Sequence, residues 1–309
     1  MADRLILGSG YIGLEAAHRW VSRGDRVVAA TRSPDKAASM REAGIVPLLW
    51  DWLAPLDEAK LRSIPAISTH FQTVLVAVTH AQQSGIAPAD THVLGLRNLK
   101  DSKLPIENAN WIYLSTTGVY GSPTDSLWVD EDSPVEPNRP GSIAAWAGEE
   151  WCRASIDSTN LVVLRPAGIY GPGRLPNWKA VRDSVPLQMD PDSYLNLIHR
   201  DDLVSTIDHF ANNPARHSLY SVSDGVPPTR QQYYDFIAQM GQWPSPVFVS
   251  NDPADLPPHA RKSRSGANKQ VSAKRLQNEF SNFAFQNYQI GLRAILKEII
   301  ANTNQSKPV

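Results

Sequence analysis

Six residues near the start of the chain, Gly8-Ser9-Gly10-Tyr11-Ile12-Gly13, constrain the fold more than any other stretch. They lie between a short apolar run, Leu5 to Leu7, and a helical pattern in which Ala16, Ala17, Trp20 and Val21 recur on one face. A buried strand, a G-x-G-x-x-G turn and a helix in that order read as a dinucleotide-binding unit. Gly8 would make the tight turn, Gly10 would let the backbone approach a pyrophosphate, and Gly13 would let helix and strand pack closely. Tyr11 and Ile12 open the helix, whose free N–H groups and positive dipole end would hold the phosphates. Gly24 is placed to stop that helix. The alternative, a glycine-rich turn without a ligand, does not explain why all three signals stand in register.

Arg26 to Ser33 reads as a second strand running into a loop, and Pro34 opens the next helix, which ends before Gly44. The tip of this strand selects the cofactor. An acidic side chain there would bond a ribose 2′-hydroxyl, whereas Thr31 and Arg32 offer a hydroxyl and a guanidinium suited to a 2′-phosphate, so NADP is expected ahead of NAD. Arg32 as an ordinary solvated arginine is the rival reading. The run IVPLLWDW reads as a third strand whose tip carries Asp51, placed to bond an adenine edge or to cap the helix near Pro55. Thr73 to Val78 is an unbroken apolar run, as a parallel strand covered on both faces requires, with Thr79 and His80 at its carboxyl end. Ligands of open α/β sheets bind at that edge.

Composition narrows the classes of function. The chain has 309 residues, 42% of them hydrophobic, and a net charge of -1, which gives no electrostatic case for nucleic acid or an acidic membrane surface. No run approaches the roughly 18 apolar residues of a membrane span, and the first strand begins too close to Met1 to leave room for a signal peptide, so a cytoplasmic location is expected. Cys152 is the single cysteine. It excludes an internal disulfide and a cysteine-based metal cluster, and its helical setting reads as packing.

Four stretches now stand in order: GSGYIG at 8–13, STTGVYG at 115–121, LRPAGIYGPGR at 164–174 and NLIHRDD at 196–202. Together they resemble the extended short-chain dehydrogenase/reductases, the NAD(P)-dependent sugar epimerase/dehydratase group, and the tail is similar to atypical members described as YeeZ-like. The resemblance implies a Rossmann-type doubly wound parallel sheet with a smaller carboxyl-terminal substrate lobe. It also implies that Ser115 and Pro166 pass the cofactor, that Thr116 polarises the substrate oxygen, and that Arg174, Asn177 and Trp178 open the substrate lobe.

Members of the group normally pair that hydroxyl with a tyrosine and, four residues on, a lysine that lowers the tyrosine pKa. Here the following stretch is RPGSIAAWAGEEWCRA. Aligning Glu150 with the acidic residue that commonly follows the pair puts Ser142 at the tyrosine position and Trp146 at the lysine position. Neither supplies the proton relay. Substitute donors are Tyr120, close to Thr116 in sequence, and His80, although a tyrosine in this turn ordinarily packs. Trp146 reads as a pocket wall or an aromatic floor for substrate. The helix starting near Pro140 shows an apolar face of Ile143, Trp146, Ala147, Trp151 and Ala154.

Residues 1–165 are therefore expected to form the nucleotide domain, with a strand and helix near 200–224 returning to it, and 166–309 a mixed substrate-binding lobe. His199 reads as structural, and Asp201 or Asp202 as a helix N-cap. The basic stretch 259–275 reads as a solvated loop, and the last helix presents Tyr288, Leu292, Ile295, Leu296 and Ile299 on one face. Two functions stand side by side. One is an oxidoreductase or epimerase acting on a small hydroxyl or carbonyl substrate, such as a nucleotide sugar; the other is a catalytically silent NADP-binding sensor. No metal is expected, and a homodimer through the Pro140 helix is the partner reading.

Overall fold

The computed structural model describes residues 1–62, 64, 70–81, 85–122, 128–249 and 268–305. The chain divides into two compact units, the first comprising 1–119, 137–165 and 203–220, the second 120–136, 166–202 and 221–309.

The first unit is built on strands β1 (Asp3–Leu7), β2 (Arg26–Thr31), β3 (Val46–Leu49), β4 (Thr73–Val76), β5 (Asn110–Leu114) and β7 (Leu161–Pro166), with β6 (Trp128–Val129) belonging to the second unit. A seven-stranded sheet runs β11-β7-β5-β4-β1-β2-β3, where β11 is Leu219–Val222. The pairs β1–β2, β1–β4, β2–β3, β4–β5 and β5–β7 are parallel. Strand order reverses beside β1, between β2 and β4, which opens the crevice where doubly wound sheets bind ligands. Helices α1 (Tyr11–Ser22), α2 (Pro34–Glu42), α3 (Glu58–Arg62), α4 (Pro88–Lys100) and α5 (Pro140–Ser155) connect the strands. Leu5, Leu7, Val28, Leu48, Val74, Val76, Leu96, Trp111, Tyr113 and Val163 form the core of this unit, as near-continuous apolar strands buried on both faces should.

Several boundaries differ from the sequence reading. The third strand stops at Leu49, so Trp50, Asp51 and Trp52 lie in the loop beyond it. The strand at LVVLR runs through Pro166, and the residue after it continues the pairing: Ala167 N–H donates to the Val222 carbonyl at 2.9 Å.

The largest correction concerns α5. Its buried residues are Ser142, Ala144, Ala145, Gly148, Glu149 and Cys152, not the apolar stripe at Ile143, Trp146, Ala147, Trp151 and Ala154. α5 packs on α4 and over β5, and the approach is so close that a Cβ on Gly148 would lie 2.0 Å from the Tyr113 hydroxyl. Small side chains meet that demand, and the bulky ones are pushed to the flanks.

The second unit carries three two-stranded pairs. Strand β8 (Gly168–Tyr170) pairs with β10 (Leu197–His199), and β9 (Leu187–Gln188) pairs with β12 (Phe248–Val249). The third pair is β6 with β13 (Gln270–Val271). Helices α6 (Trp178–Arg182), α8 (Arg230–Gly241), α9 (Lys274–Gln277) and α10 (Tyr288–Gln305) belong to this unit, and α7 (Arg200–Asn212) begins in it. Tyr170, Leu197, Tyr233, Ile237, Leu292, Ile295 and Leu296 form its core. Asp201 and Asp202 fall in the first turn of α7 and not at its N-cap. Asp202 instead accepts from the backbone N–H of Ala284 at 2.8 Å and of Phe285 at 3.0 Å. Of the basic stretch 259–275, residues 259–267 lie outside the described residues.

Candidate functional site

A cavity of 680 Å³ opens at the carboxyl ends of β1, β2, β3 and β4. Its wall is made by the turns that leave those strands: Gly8 to Gly10, Thr31 to Ser33 with Lys36, Trp50 to Leu53, and Ala77 to Ala81, closed by Thr91 and His92 of α4. Gly8 has φ +91, a left-handed backbone, and a Cβ there would lie 2.5 Å from the Ala77 carbonyl oxygen. A Cβ at Gly13 would lie 2.1 Å from the Gly8 carbonyl oxygen, so the helix seats on the turn only with glycine. Gly10 differs from both: nothing lies within 4 Å of its Cβ position. That vacancy sits at the N-cap of a 12-residue helix with no side-chain cap. Open space in front of a helix N-terminus that no side chain caps is what an anionic group fits.

At the rim, Arg32 stands 3.8 Å from Asp51, with 62% of its side chain exposed. Asp51 also accepts from the Leu53 N–H at 3.1 Å, and Lys36 bonds the Ser9 carbonyl. His80 Nδ1 lies 3.2 Å from Thr91 Oγ1, and His92 Nδ1 lies 2.7 Å from the Tyr113 hydroxyl.

The cavity thus brings together Gly8, Gly10, Thr31, Arg32, Asp51, Thr79 and His80. Tyr11, Ile12 and Gly13 form the first turn of α1 behind it. Trp50, Trp52, Lys36 and His92 also line it and were not singled out from the sequence. The strand pattern hid the tryptophans, and His92 looked like one polar residue in a helix.

Ser115 and Thr116 are turned to local partners. Thr116 Oγ1 accepts from the Gly118 N–H at 3.0 Å. Ser115 donates to Glu149, which is fully buried and receives Arg165 on both oxygens, at 2.9 and 2.8 Å, and Arg153 at 2.6 Å. Trp146 lies between these arginines, 5.3 Å from Arg153 and 5.7 Å from Arg165. Since α5 buries Glu149 and exposes Glu150, counting back from the buried carboxylate gives Ala145 and Gly141 in place of Trp146 and Ser142. In either register the helix has no tyrosine and no lysine. Ser142 itself bonds the Arg139 backbone at both N–H and carbonyl.

Tyr120, Pro166, Arg174, Asn177 and Trp178 belong to the second unit. Tyr120 is 3% exposed, and its hydroxyl bonds Ser221 Oγ at 2.8 Å. Asn177 has a left-handed backbone, φ 50, and donates to the Tyr234 hydroxyl at 2.9 Å. Trp178 packs near Trp243 at 6.0 Å, and Arg174 bridges back to Gly171 through its backbone. His199 is buried between Tyr170 and Phe285, and burial lowers its pKa to about 4. Among the described residues no group of three or more His, Cys, Asp or Glu is placed to hold a metal, and no helix is long and apolar enough to cross a membrane.

Sheet order, glycine turn and cavity together define a doubly wound α/β protein of the dinucleotide-binding type. The chain belongs to the NAD dependent epimerase/dehydratase family, whose model matches residues 5–218. It is similar to Protein YeeZ of Escherichia coli (strain K12), 27% identical over 244 residues that cover 79% of this chain and 85% of that protein. A functionally unknown conserved protein from Silicibacter pomeroyi DSS superposes with a TM-score of 0.74 at 28% identity, covering 97% of this chain and 99% of the other. A dTDP-glucose 4,6-dehydratase from Bacillus anthracis str. Ames, solved in complex with NAD, reaches the same TM-score of 0.74 at 17% identity, covering 99% and 98%. That last likeness is one of fold.

Proposed function

We propose that the cavity at the strand ends binds a nicotinamide dinucleotide, NADP in preference to NAD, and that the protein is an oxidoreductase or epimerase on a small hydroxyl- or carbonyl-bearing substrate, of which a nucleotide sugar is the leading class. The vacancy in front of Gly10 carries the reading, because an uncapped helix N-terminus facing open space fits a diphosphate. When bound, the dinucleotide supplies hydride exchange. The backbone N–H groups at Gly10 to Gly13 hold the diphosphate, and Arg32, with Ser33 and Lys36 beside it, takes the 2′-phosphate. Thr116 polarises the substrate oxygen, and Tyr120 or His80 exchanges its proton in place of the family tyrosine. Trp146, Arg174, Asn177 and Trp178 contact the substrate.

A second reading, a silent dinucleotide sensor, is favoured by α5 itself: it contains neither tyrosine nor lysine, and Ser142 is committed to capping its own helix. Calorimetric titration with NADPH and NADH, followed by cofactor oxidation against carbonyl compounds and nucleotide sugars, separates the two. Binding with turnover supports the enzyme, binding without turnover supports the sensor, and no binding removes both. Arg32→Ala is expected to weaken NADPH by about 10- to 100-fold and NADH little, since a charged hydrogen bond is lost; equal losses refute the NADP assignment. Thr116→Ala is expected to lower turnover at unchanged cofactor affinity. The half-buried flank of α5 at Ile143 and Trp151 is the proposed homodimer face, a reading that sedimentation as a monomer refutes.

A further inference from the structure

The rim of the cavity sets a carboxylate beside the guanidinium that the sequence assigns to the cofactor. Asp51 Oδ2 lies 3.8 Å from Arg32 Nη1. The other oxygen is committed to its own loop, where Oδ1 accepts from the Leu53 N–H at 3.1 Å. Buried tryptophans on either side hold that loop in place. Trp50 donates its backbone N–H to the Thr31 carbonyl at 3.0 Å, which ties the loop to the residue before Arg32, and its indole N–H to the Ala54 carbonyl at 2.8 Å. The Trp52 carbonyl accepts from Asn98 of α4 at 2.9 Å, and its ring fills the space that a side chain on Gly95 would need, 2.2 Å from that Cβ position. Asp51 is therefore placed next to Arg32 by the fold, not by the ion pair itself.

Apart from its two histidines, the ionisable side chains lining the cavity are Arg32, Lys36 and Asp51. Lys36 donates to the Ser9 carbonyl, which leaves Arg32 as the base that the carboxylate faces. The Arg32 and Asp51 side chains are 62% and 42% exposed, so their attraction is screened by water and adds little to stability. Its weight falls on the choice between two ligands. NAD and NADP differ by one phosphate, and an anion brought to Arg32 comes also to the carboxylate held beside it. Two unit charges at about 4 Å in water shift an equilibrium by about fivefold. The effect is absent for NAD, which carries a ribose hydroxyl in place of that phosphate.

We propose that Asp51 determines how far this cavity prefers NADP over NAD. Its carboxylate holds Arg32 when no 2′-phosphate is present and competes with that phosphate for the guanidinium when NADP binds. Asp51 is thus a positioning residue that acts through Arg32 and narrows the preference that Arg32 creates. The proposal rests on reading the cavity as a dinucleotide site with Arg32 at the 2′-phosphate. It differs from a contact of Asp51 with the adenine edge, which NAD and NADP share and which would not tell them apart.

The test is calorimetric titration of the full-length protein with NADPH and NADH, in the parent, Asp51→Asn, Arg32→Ala and the double variant, at low and at high salt. Asp51→Asn removes the charge and keeps the oxygen that accepts from Leu53. It is expected to tighten NADPH by about 3- to 10-fold at low salt, to leave NADH within about twofold, and to lose most of its gain at high salt. In the Arg32→Ala background the same change is expected to move NADPH by less than about twofold, because the carboxylate acts through the guanidinium. A merely structural role for Asp51 would weaken both dinucleotides together, and that result, or an unchanged ratio of the two affinities, overturns the proposal. So does a gain in NADPH affinity that persists in full without Arg32. A parent that binds both alike, while Asp51→Asn favours NADPH, refutes the NADP preference and supports the competition. A parent that prefers NADPH, with the same ratio in Asp51→Asn, does the reverse, and no binding of either dinucleotide to any of the four proteins refutes both.

Discussion

Each of the two units buries charge, and each handles it differently. In the first, Glu149 is wholly buried, yet its carboxylate oxygens receive Arg165 twice, Arg153 and Ser115. In the second, Asp224 accepts from the Val226 N–H at 3.1 Å through one oxygen, while the other has no partner, and Tyr170 Oη, Tyr233 Oη and His199 Nε2 are buried without partners as well. Burial, reinforced by Asp202, lifts the Asp224 carboxyl to about 7. A buried charge is tolerated when its partners are built in, and where they are not the group gives up its charge.

The largest expected effect breaks the compensated side. Arg165→Leu leaves Glu149 facing only Arg153 and Ser115, and should destabilise the protein by about 3–5 kcal/mol in denaturant unfolding. A double variant, Arg165→Leu with Glu149→Leu, should recover most of that loss; failure to recover means that packing, not charge, was at stake.

The uncompensated side should reveal itself through pH. The folded pKa of Asp224 lies above its unfolded value, so its contribution is full below about pH 4 and is lost as pH rises toward about 7. At about 1.4 kcal/mol per unit this is an effect of order 4 kcal/mol. His199 and His92 act with the opposite sign: their folded pKa values are lowered to about 4, so stability is lost as pH falls from 6.5 toward 4. Between pH 4 and 6.5 the two histidines outweigh the one carboxyl, so the parent profile rises with pH by about 1.4 kcal/mol per unit. Asp224→Asn should therefore steepen that rise to about 2.7 kcal/mol per unit over the same window, and a profile identical to the parent contradicts the comparison.

Smaller effects sharpen it. Ser115→Ala removes one charged hydrogen bond to Glu149 and should cost about 1.5–3 kcal/mol by thermal unfolding. Tyr233→Phe removes a hydroxyl that has no partner, so it should be neutral or stabilise by up to about 1 kcal/mol. If Tyr233→Phe costs more than Ser115→Ala, the assignment of satisfied and orphaned groups is reversed.

Much of the first unit was legible in the residues. Gly8, Gly10 and Gly13 imply a backbone that only a strand, turn and helix can provide, and Thr31, Arg32, Asp51, Thr79 and His80 reach the cavity because they follow apolar runs that become parallel strands. The face of α5 was not legible. Apolar periodicity favoured Ile143, Trp146 and Trp151, whereas the close approach at Gly148 selected Ala144, Ala145 and Cys152. For the same reason Glu150 looked like the significant carboxylate although Glu149 is the buried one.

Local backbone demands, apolar periodicity and strand-turn-helix order are written in contiguous residues, so the sequence by itself determined the doubly wound architecture, the glycine cradle and the absence of tyrosine and lysine from α5. Pairings between distant residues are decided only when the chain closes on itself. Tertiary structure alone joined Glu149 to Arg165 across 16 positions and set His92 against Tyr113 across 21, because a hydrogen bond depends on where two atoms meet and not on what surrounds either one in the chain.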